Sequence, residues 1–283
     1  MANEELPLPV SSSQPPDFVQ EAQTCYQGAA KCLQQAGIPF AIAGAFALQQ
    51  HTGIWRNTKD LDVVLEAGAV PEALQKLEQR GFRTEIRDPV WLAKAWCGDY
   101  FVDLITALGN AALIVDRSWI ERSQPCLLFG VPCRVLAAEE MIASKIFVSR
   151  RERFDLADVA HLIRATGERL DWNRLERLMN GHQELLLWSL VFFAYVYPAR
   201  VDLIPRKLWK DLLADLNSHL QHPPADAPFR GTLIDPNMFA IDVMEWGERD
   251  LYRENCERHP RLLETNPQTK SEFGGKDEAG RCG

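Results

Sequence analysis

Over about its first 166 residues the chain alternates short apolar runs with amphipathic stretches, and beyond that only helical spacing recurs. From Phe18 to Ala36 apolar residues fall at helical intervals (Phe18, Ala22, Cys25, Ala29, Cys32, Ala36), and Gly37 follows as a stop signal. That pattern predicts a helix. "PFAIA" then reads as a short buried strand, residues 44–50 as the first turns of a helix, and "LDVVLE" as a second strand. "PEALQKLEQRG" opens with proline in the first turn and closes on glycine, which predicts another helix. "FRTEIR" and "YFVDLITA" predict strands, and "CLLFGVPCRVL" a hairpin turning at Phe129-Gly130. "AAEEMIASKIFVSR" and "FDLADVAHLIRATG" predict two further helices, the second ended by Gly167.

The most apolar run is "LLLWSLVFFAYVY", residues 185–197. At 13 residues it is short of the roughly 20 needed to cross a bilayer, so it predicts a buried helix. Trp188, Phe192, Phe193, Tyr195 and Tyr197 are then expected to pack in the core. The order of elements predicts an α+β fold: a mixed β-sheet flanked by helices, followed by a helical C-terminal extension. The expected division is a Pro/Ser-rich disordered tail at 1–17, a sheet domain at 18–166, a helical region at 167–263, and a polar, Gly-rich disordered tail at 264–283.

Composition narrows the class. With 46% hydrophobic residues, the 283-residue chain has enough apolar material for a sizeable core. Its formal net charge of -8 excludes a global basic field, so any nucleic-acid contact must come from a local patch. The strongest such patch is "KIFVSRRER", where Lys145, Arg150, Arg151 and Arg153 stand against Glu152. It reads either as a solvated helix end or as a contact for RNA or a nucleotide tail. Seven scattered cysteines, without close CxxC pairs, predict reduced thiols in a cytoplasmic protein. Cys126 and Cys133 flank the predicted hairpin turn and read as small strand residues. The N-terminus carries acids and prolines where a signal peptide would carry basic residues and an apolar core.

Candidate chemistry centres on "AIAGAFALQQHTGIWRNTKDLDVVLE". Alternate strand residues share a face, so Asp60 and Asp62 point the same way, side by side, despite their mutual repulsion. On "YFVDLIT", Asp103 interrupts the apolar face of Phe101 and Ile105, a costly place for a charge without compensation. A third carboxylate brought by an adjacent strand would complete an oxygen-ligand site for Mg²⁺. Two such ions would clamp the attacking and leaving oxygens of a phosphoryl or nucleotidyl displacement. Gly44 and Ala45 fall at a helix N-terminus, where free amides and the helix dipole attract the phosphates of an NTP. Arg56 either grips a phosphate or pairs with Asp60 or Asp62. Lys145 interrupts the stripe of Met141, Ile142, Ile146 and Val148, so it either reaches a triphosphate or snorkels. Asp155 either caps the following helix or holds Lys145, with Asp158 on the same helix face.

These residues resemble the DNA polymerase beta-like nucleotidyltransferase superfamily, whose signature is a Gly-Gly or Gly-Ser helix start, a spacer, and an Asp-apolar-Asp/Glu pair opening a strand. Here the elements are Gly44-Ala45 and Asp60-Leu61-Asp62, with Asp103 of "FVDLI" standing for the third carboxylate. Ala45 departs from the pattern, removing a hydroxyl and adding a methyl near the phosphates. "RNTKDLD" is similar to the Arg-x-Ser/Thr-x-Asp-x-Asp form of abortive-infection nucleotidyltransferase toxins and related bacterial proteins. Their later Lys and Asp match Lys145 and Asp155. The resemblance covers about residues 38–165. It implies a nucleotidyltransferase-type sheet and Mg²⁺-dependent transfer of an NMP from an NTP to an acceptor hydroxyl. Asp60, Asp62 and Asp103 would hold two metal ions and carry catalysis. Gly44, Ala45, Arg56, Thr58 and Lys145 would bind the NTP, supported by Asp155. The family's acceptors include tRNA, protein side chains and small molecules. The alternatives are a catalytically inactive binding protein of the same fold, or a toxin with an antitoxin partner. "RGTLID" (residues 230–235) stands out as polar without a role in this chemistry.

Overall fold

The computed structural model describes residues 11–12, 18–56, 58–223 and 225–259. The expected tails lie outside these residues, except Ser11 and Ser12. Those two form strand β1 (Ser11–Ser12), paired antiparallel with Trp55–Arg56. Helix α1 (Gln20–Gln35) leads into β2 (Ala41–Ile42), α2 (Gly44–Thr52), β3 (Trp55–Arg56) and β4 (Asp60–Val64). Next come α3 (Val70–Glu78) and three consecutive strands, β5 (Arg83–Asp88), β6 (Leu92–Cys97) and β7 (Tyr100–Ile105). A short helix α4 (Arg117–Arg122) precedes the hairpin of β8 (Gln124–Leu128) and β9 (Val131–Val135). The remainder is helical: α5 (Ala138–Ile146), α6 (Leu156–Thr166), α7 (Trp172–Leu178), α8 (Gln183–Val196), α9 (Arg206–Gln221), α10 (Gly231–Ile234), α11 (Ala240–Met244) and α12 (Leu251–Arg258).

Seven strands form one mixed sheet in the order β5-β6-β7-β4-β2-β9-β8. The pairs β4/β7 and β2/β9 are parallel and the others antiparallel. Strand alternation assigns the two faces. Leu61 and Val63 of β4, with Val102 and Leu104 of β7, pack into the cluster that includes Tyr26, Leu33 and Leu77 from α1 and α3. The intervening Asp60, Asp62 and Asp103 therefore emerge on the opposite face, where α2, α5, α6 and α8 build the second cluster. The sheet itself thus sorts apolar from acidic.

Two expectations need correction here. The basic patch is not a helix end, because α5 stops at Ile146. Residues 149–154 instead form a tight antiparallel turn, with Arg150 N–H donating to Arg153 O at 2.8 Å and Asp155 N–H to Val148 O at 2.9 Å. Nor is α8 buried all round. Leu186, Leu190 and Phe193 form its inward stripe, and helical geometry then turns Trp188, Val191 and Tyr195 outward to solvent. The six described cysteines are free thiols, Cys126 and Cys133 lying directly opposite each other in the hairpin. Among the described residues no helix is long and apolar enough to cross a membrane.

Candidate active site

The β4/β7 parallel register sets Asp62 opposite Asp103. With Asp60 two residues back on the same face, three carboxylates present one oxygen each within 4.8 Å of one another. Burial, with repulsion from Asp60 and Asp103, pushes Asp62 up to about 7. Asp103 is also raised by burial, against the pull of Lys94. Such a cluster is costly for bare carboxylates. An all-oxygen set of this kind, without His or Cys, suits a hard divalent cation, whose charge removes that cost.

Gly44 is required at the start of α2 for a reason the sequence hid. Its φ is +58°, and a Cβ there would fall 1.7 Å from Asp62 Oδ2. Any larger residue collides with the central carboxylate. The backbone also ties the two elements, with Ala43 N–H donating to Asp62 O at 2.9 Å. Gly44 and Ala45 both line the cavity, and no side chain caps their helix. Their amides are therefore turned toward the space that the carboxylates face.

Around this centre lies a cavity of about 730 Å³ lined by Gly44, Ala45, Arg56, Thr58, Lys145 and Asp155 together with the three aspartates. All nine residues singled out from the sequence thus meet in one place, though several contacts differ from expectation. Arg56 pairs with Asp158, not with Asp60 or Asp62. Thr58 holds the carboxylate of Asp60, its Oγ1 donating to Oδ1 at 2.6 Å. Asp155 sits at the N-cap of α6 without a side-chain capping bond, and its Oδ2 instead accepts from Lys145 Nζ at 2.9 Å and from Arg153 at 2.9 Å. Lys145 Nζ donates also to Asp158 Oδ2 at 2.8 Å, so the buried ammonium is fixed at the wall rather than snorkelling. That wall sets the cations Arg56, Lys145, Arg150 and Arg153 opposite the three aspartates, with Glu152, Asp155, Asp158 and Asp235 interspersed among them.

Two further residues escaped the sequence reading. Lys94 on β6 lies opposite Asp103 in register, and its Nζ donates to Asp103 Oδ1 at 2.7 Å while resting 3.9 Å from the Phe101 ring centroid. Asp235, the last residue of "RGTLID", is buried and lines the cavity with Pro236 and Asn237. Asn110 donates to Leu233 O at 2.7 Å, and Tyr252 N–H to Thr232 Oγ1 at 3.2 Å, which pins this C-terminal segment beside the loop after β7. The segment that lacked a role is a wall of the site. Amides of Asn237 and Met238 donate to Asp235 and hold its carboxyl below the usual range.

No protein-family model and no curated protein matches the chain. Solved structures similar to it include proteins described as nucleotidyltransferases. The solution structure of the antibiotic-resistance factor ANT(2'')-Ia is 17% identical, over 71% of this chain and 97% of that one, at a TM-score of 0.41. The lincosamide antibiotic adenylyltransferase LnuA, bound to lincomycin, is 14% identical over 52% and 98%, at 0.36. A putative nucleotidyltransferase from H. pylori is 15% identical over 72% and 95%, at 0.37. None of these three reaches a TM-score of 0.5, so function has to be read from the site's own residues.

Proposed function

We propose that the chain is a Mg²⁺-dependent nucleotidyltransferase that moves an NMP from an NTP to an acceptor hydroxyl on RNA, protein or a small molecule. The observation that carries this reading is the convergence of Asp60, Asp62 and Asp103 with a glycine-started helix and the cationic side chains of Arg56, Lys145 and Arg153 in one cavity. Triphosphate oxygens fit between the two charges, their far side against Gly44 and Ala45 amides and the Lys145 ammonium. Two Mg²⁺ ions held by Asp60, Asp62 and Asp103 would neutralise the charge that builds on the α-phosphate and on departing pyrophosphate. Thr58 fixes Asp60, Gly44 admits Asp62 against the helix, and Lys94 opposes the rise that burial imposes on Asp103. The acceptor oxygen bonds to the α-phosphorus as the bond to the bridging oxygen breaks. Pyrophosphate leaves with the electron pair, and the acceptor proton passes to Asp103.

Calorimetric titration with each of the four NTPs tests the reading, first with Mg²⁺ and then with EDTA, on wild type and on Asp60→Asn/Asp62→Asn. Binding by wild type that EDTA and the double substitution both remove is the expected result. Well-folded wild type that binds no NTP in Mg²⁺ would overturn it in favour of a non-catalytic protein of this fold.

Lys94→Met supplies a second check. Without its ammonium partner Asp103 holds its proton to higher pH, so metal has to compete with that proton. Mn²⁺ affinity should drop about tenfold at pH 6.5 and recover toward wild type as pH rises to 8.5. An equal loss at both pH values would show that Lys94 acts only by position.

A further inference from the structure

The turn between α5 and α6 and the outer face of α8 form one surface at the mouth of the cavity. Phe154, which lines the cavity, is 50% exposed, yet its ring lies 6.3 Å from that of Trp188 and 5.6 Å from that of Phe192. Trp188 is 41% exposed, and Tyr195, two helical turns further along the same stripe, is 86% exposed. Seven residues of helix separate the last two by about 10.5 Å. Phe154 therefore joins the cavity to the exposed rings of α8.

Beside these rings the tight turn displays Arg150 and Arg151, both exposed, against the single acid Glu152, with the exposed Arg153 bonded to Asp155. In a chain whose net charge is -8 this is a local reversal of sign. Exposed aromatic rings give successive bases a stacking platform that tolerates any sequence, and arginines beside them track phosphates. A small acceptor would fit inside the cavity and leave the outer rings unused. A second protein would match the apolar stripe but would have to bury three arginines with it.

We infer that this surface guides a single-stranded polynucleotide into the cavity, so that its terminal hydroxyl is the acceptor of the transfer. The inference rests on the nucleotidyltransferase reading for its chemistry and on the exposed rings and arginines for its substrate. Bases stack on the exposed rings of Trp188, Tyr195 and Phe154, phosphates lie along the turn, and the end of the strand passes Phe154 to the three aspartates. The acceptor track is thus built from residues on two helices and the connection between them.

Fluorescence anisotropy with an end-labelled, unstructured ten-nucleotide RNA, and with DNA of the same sequence, tests this on the whole chain. With a non-hydrolysable NTP and Mg²⁺ present, wild type should bind, and log K should fall with log salt at a slope of about −1.4, as expected for two phosphate contacts on a single strand. Arg151→Ala should reduce that slope by about 0.7. Trp188→Ala and Tyr195→Ser, neither of which lines the cavity, should each weaken binding about tenfold and leave NTP affinity unchanged. Tyr195 is so exposed that its replacement does not disturb folding. Binding of RNA but not DNA would assign the acceptor as RNA; binding of both would assign polynucleotide without sugar preference. Absence of binding to either strand, while Mg²⁺-NTP still binds, overturns the inference and leaves the proposed function standing. So does strand binding that Trp188→Ala and Tyr195→Ser fail to change. Sedimentation showing self-association that these two substitutions abolish, without strand binding, would reassign the face to a second copy of the chain.

Discussion

Asp62→Asn is expected to abolish Mg²⁺-dependent NTP binding and transfer, by at least about 10³-fold, and at the same time to stabilise the metal-free protein. The two effects have one cause. Asp62 lies against Asp60, Asp103 and the start of α2, and that environment raises it to about 7 from an ordinary 3.8. The folded chain therefore holds a proton on Asp62 that the unfolded chain gives up. For a group raised in the folded state, its stabilising contribution is complete below the unfolded value and is lost as pH climbs through the folded one. Metal-free wild type should accordingly lose stability between about pH 4 and 7 and level off above. Asparagine carries no charge and escapes this loss.

A rise from 3.8 to about 7 would amount to roughly 4 kcal/mol, but Asp62 is only partly buried and opens onto the cavity, and screening discounts this to about 2 kcal/mol. At about 2–4 °C per kcal/mol, thermal unfolding in EDTA should place Asp62→Asn a few degrees above wild type at pH 8 and level with it near pH 4. Added Mg²⁺ should raise wild type at pH 8 and leave the variant unmoved. A variant less stable than wild type at pH 8 in EDTA would mean that Asp62 is structurally satisfied, and that the carboxylate cluster is not held at a cost for a cation.

The contrast between Asp62 and its surroundings shows where sequence reading reaches. Period-2 alternation on "LDVVL" and "FVDLI" was enough to put three acids on one sheet face, because strand geometry is local. Gly44 was legible as a helix start, yet its steric reason depends on an element 18 residues away, folded back against it. Arg56 and Asp158 are separated by 102 residues, and no local pattern indicates that they meet. Strand β6 went unseen because "LAKAWC" is poor in β-branched residues; its conformation comes from being paired on both sides, by β5 and β7. Lys94 was invisible with it. For α8 the composition misled, since a run apolar on all sides suggests full burial. Its neighbours cover only one stripe, and the remainder became the strongest clue to what binds outside the cavity.

Gly44→Ala tests geometry where Asp62→Asn tests charge. The added methyl has nowhere to go: it would sit 1.7 Å from Asp62 Oδ2 and 2.7 Å from Cγ, so either the carboxylate or the first turn of α2 must move. The left-handed backbone adds about 1 kcal/mol for any residue with a Cβ. Total charge in the cavity is untouched. We expect a folded protein, destabilised by about 1–3 kcal/mol, whose Mg²⁺-dependent NTP affinity falls at least about tenfold and whose transfer rate falls about 10²-fold. Because the methyl acts through Asp62, the two substitutions should not add. In unfolding of the metal-free protein, Gly44→Ala made in an Asp62→Ala background should cost little beyond the backbone's about 1 kcal/mol, because the group the methyl strikes is gone, the signature of two residues sharing one interaction. Full additivity in that cycle would show that the cost of Gly44→Ala lies in the left-handed backbone alone, independently of the carboxylate.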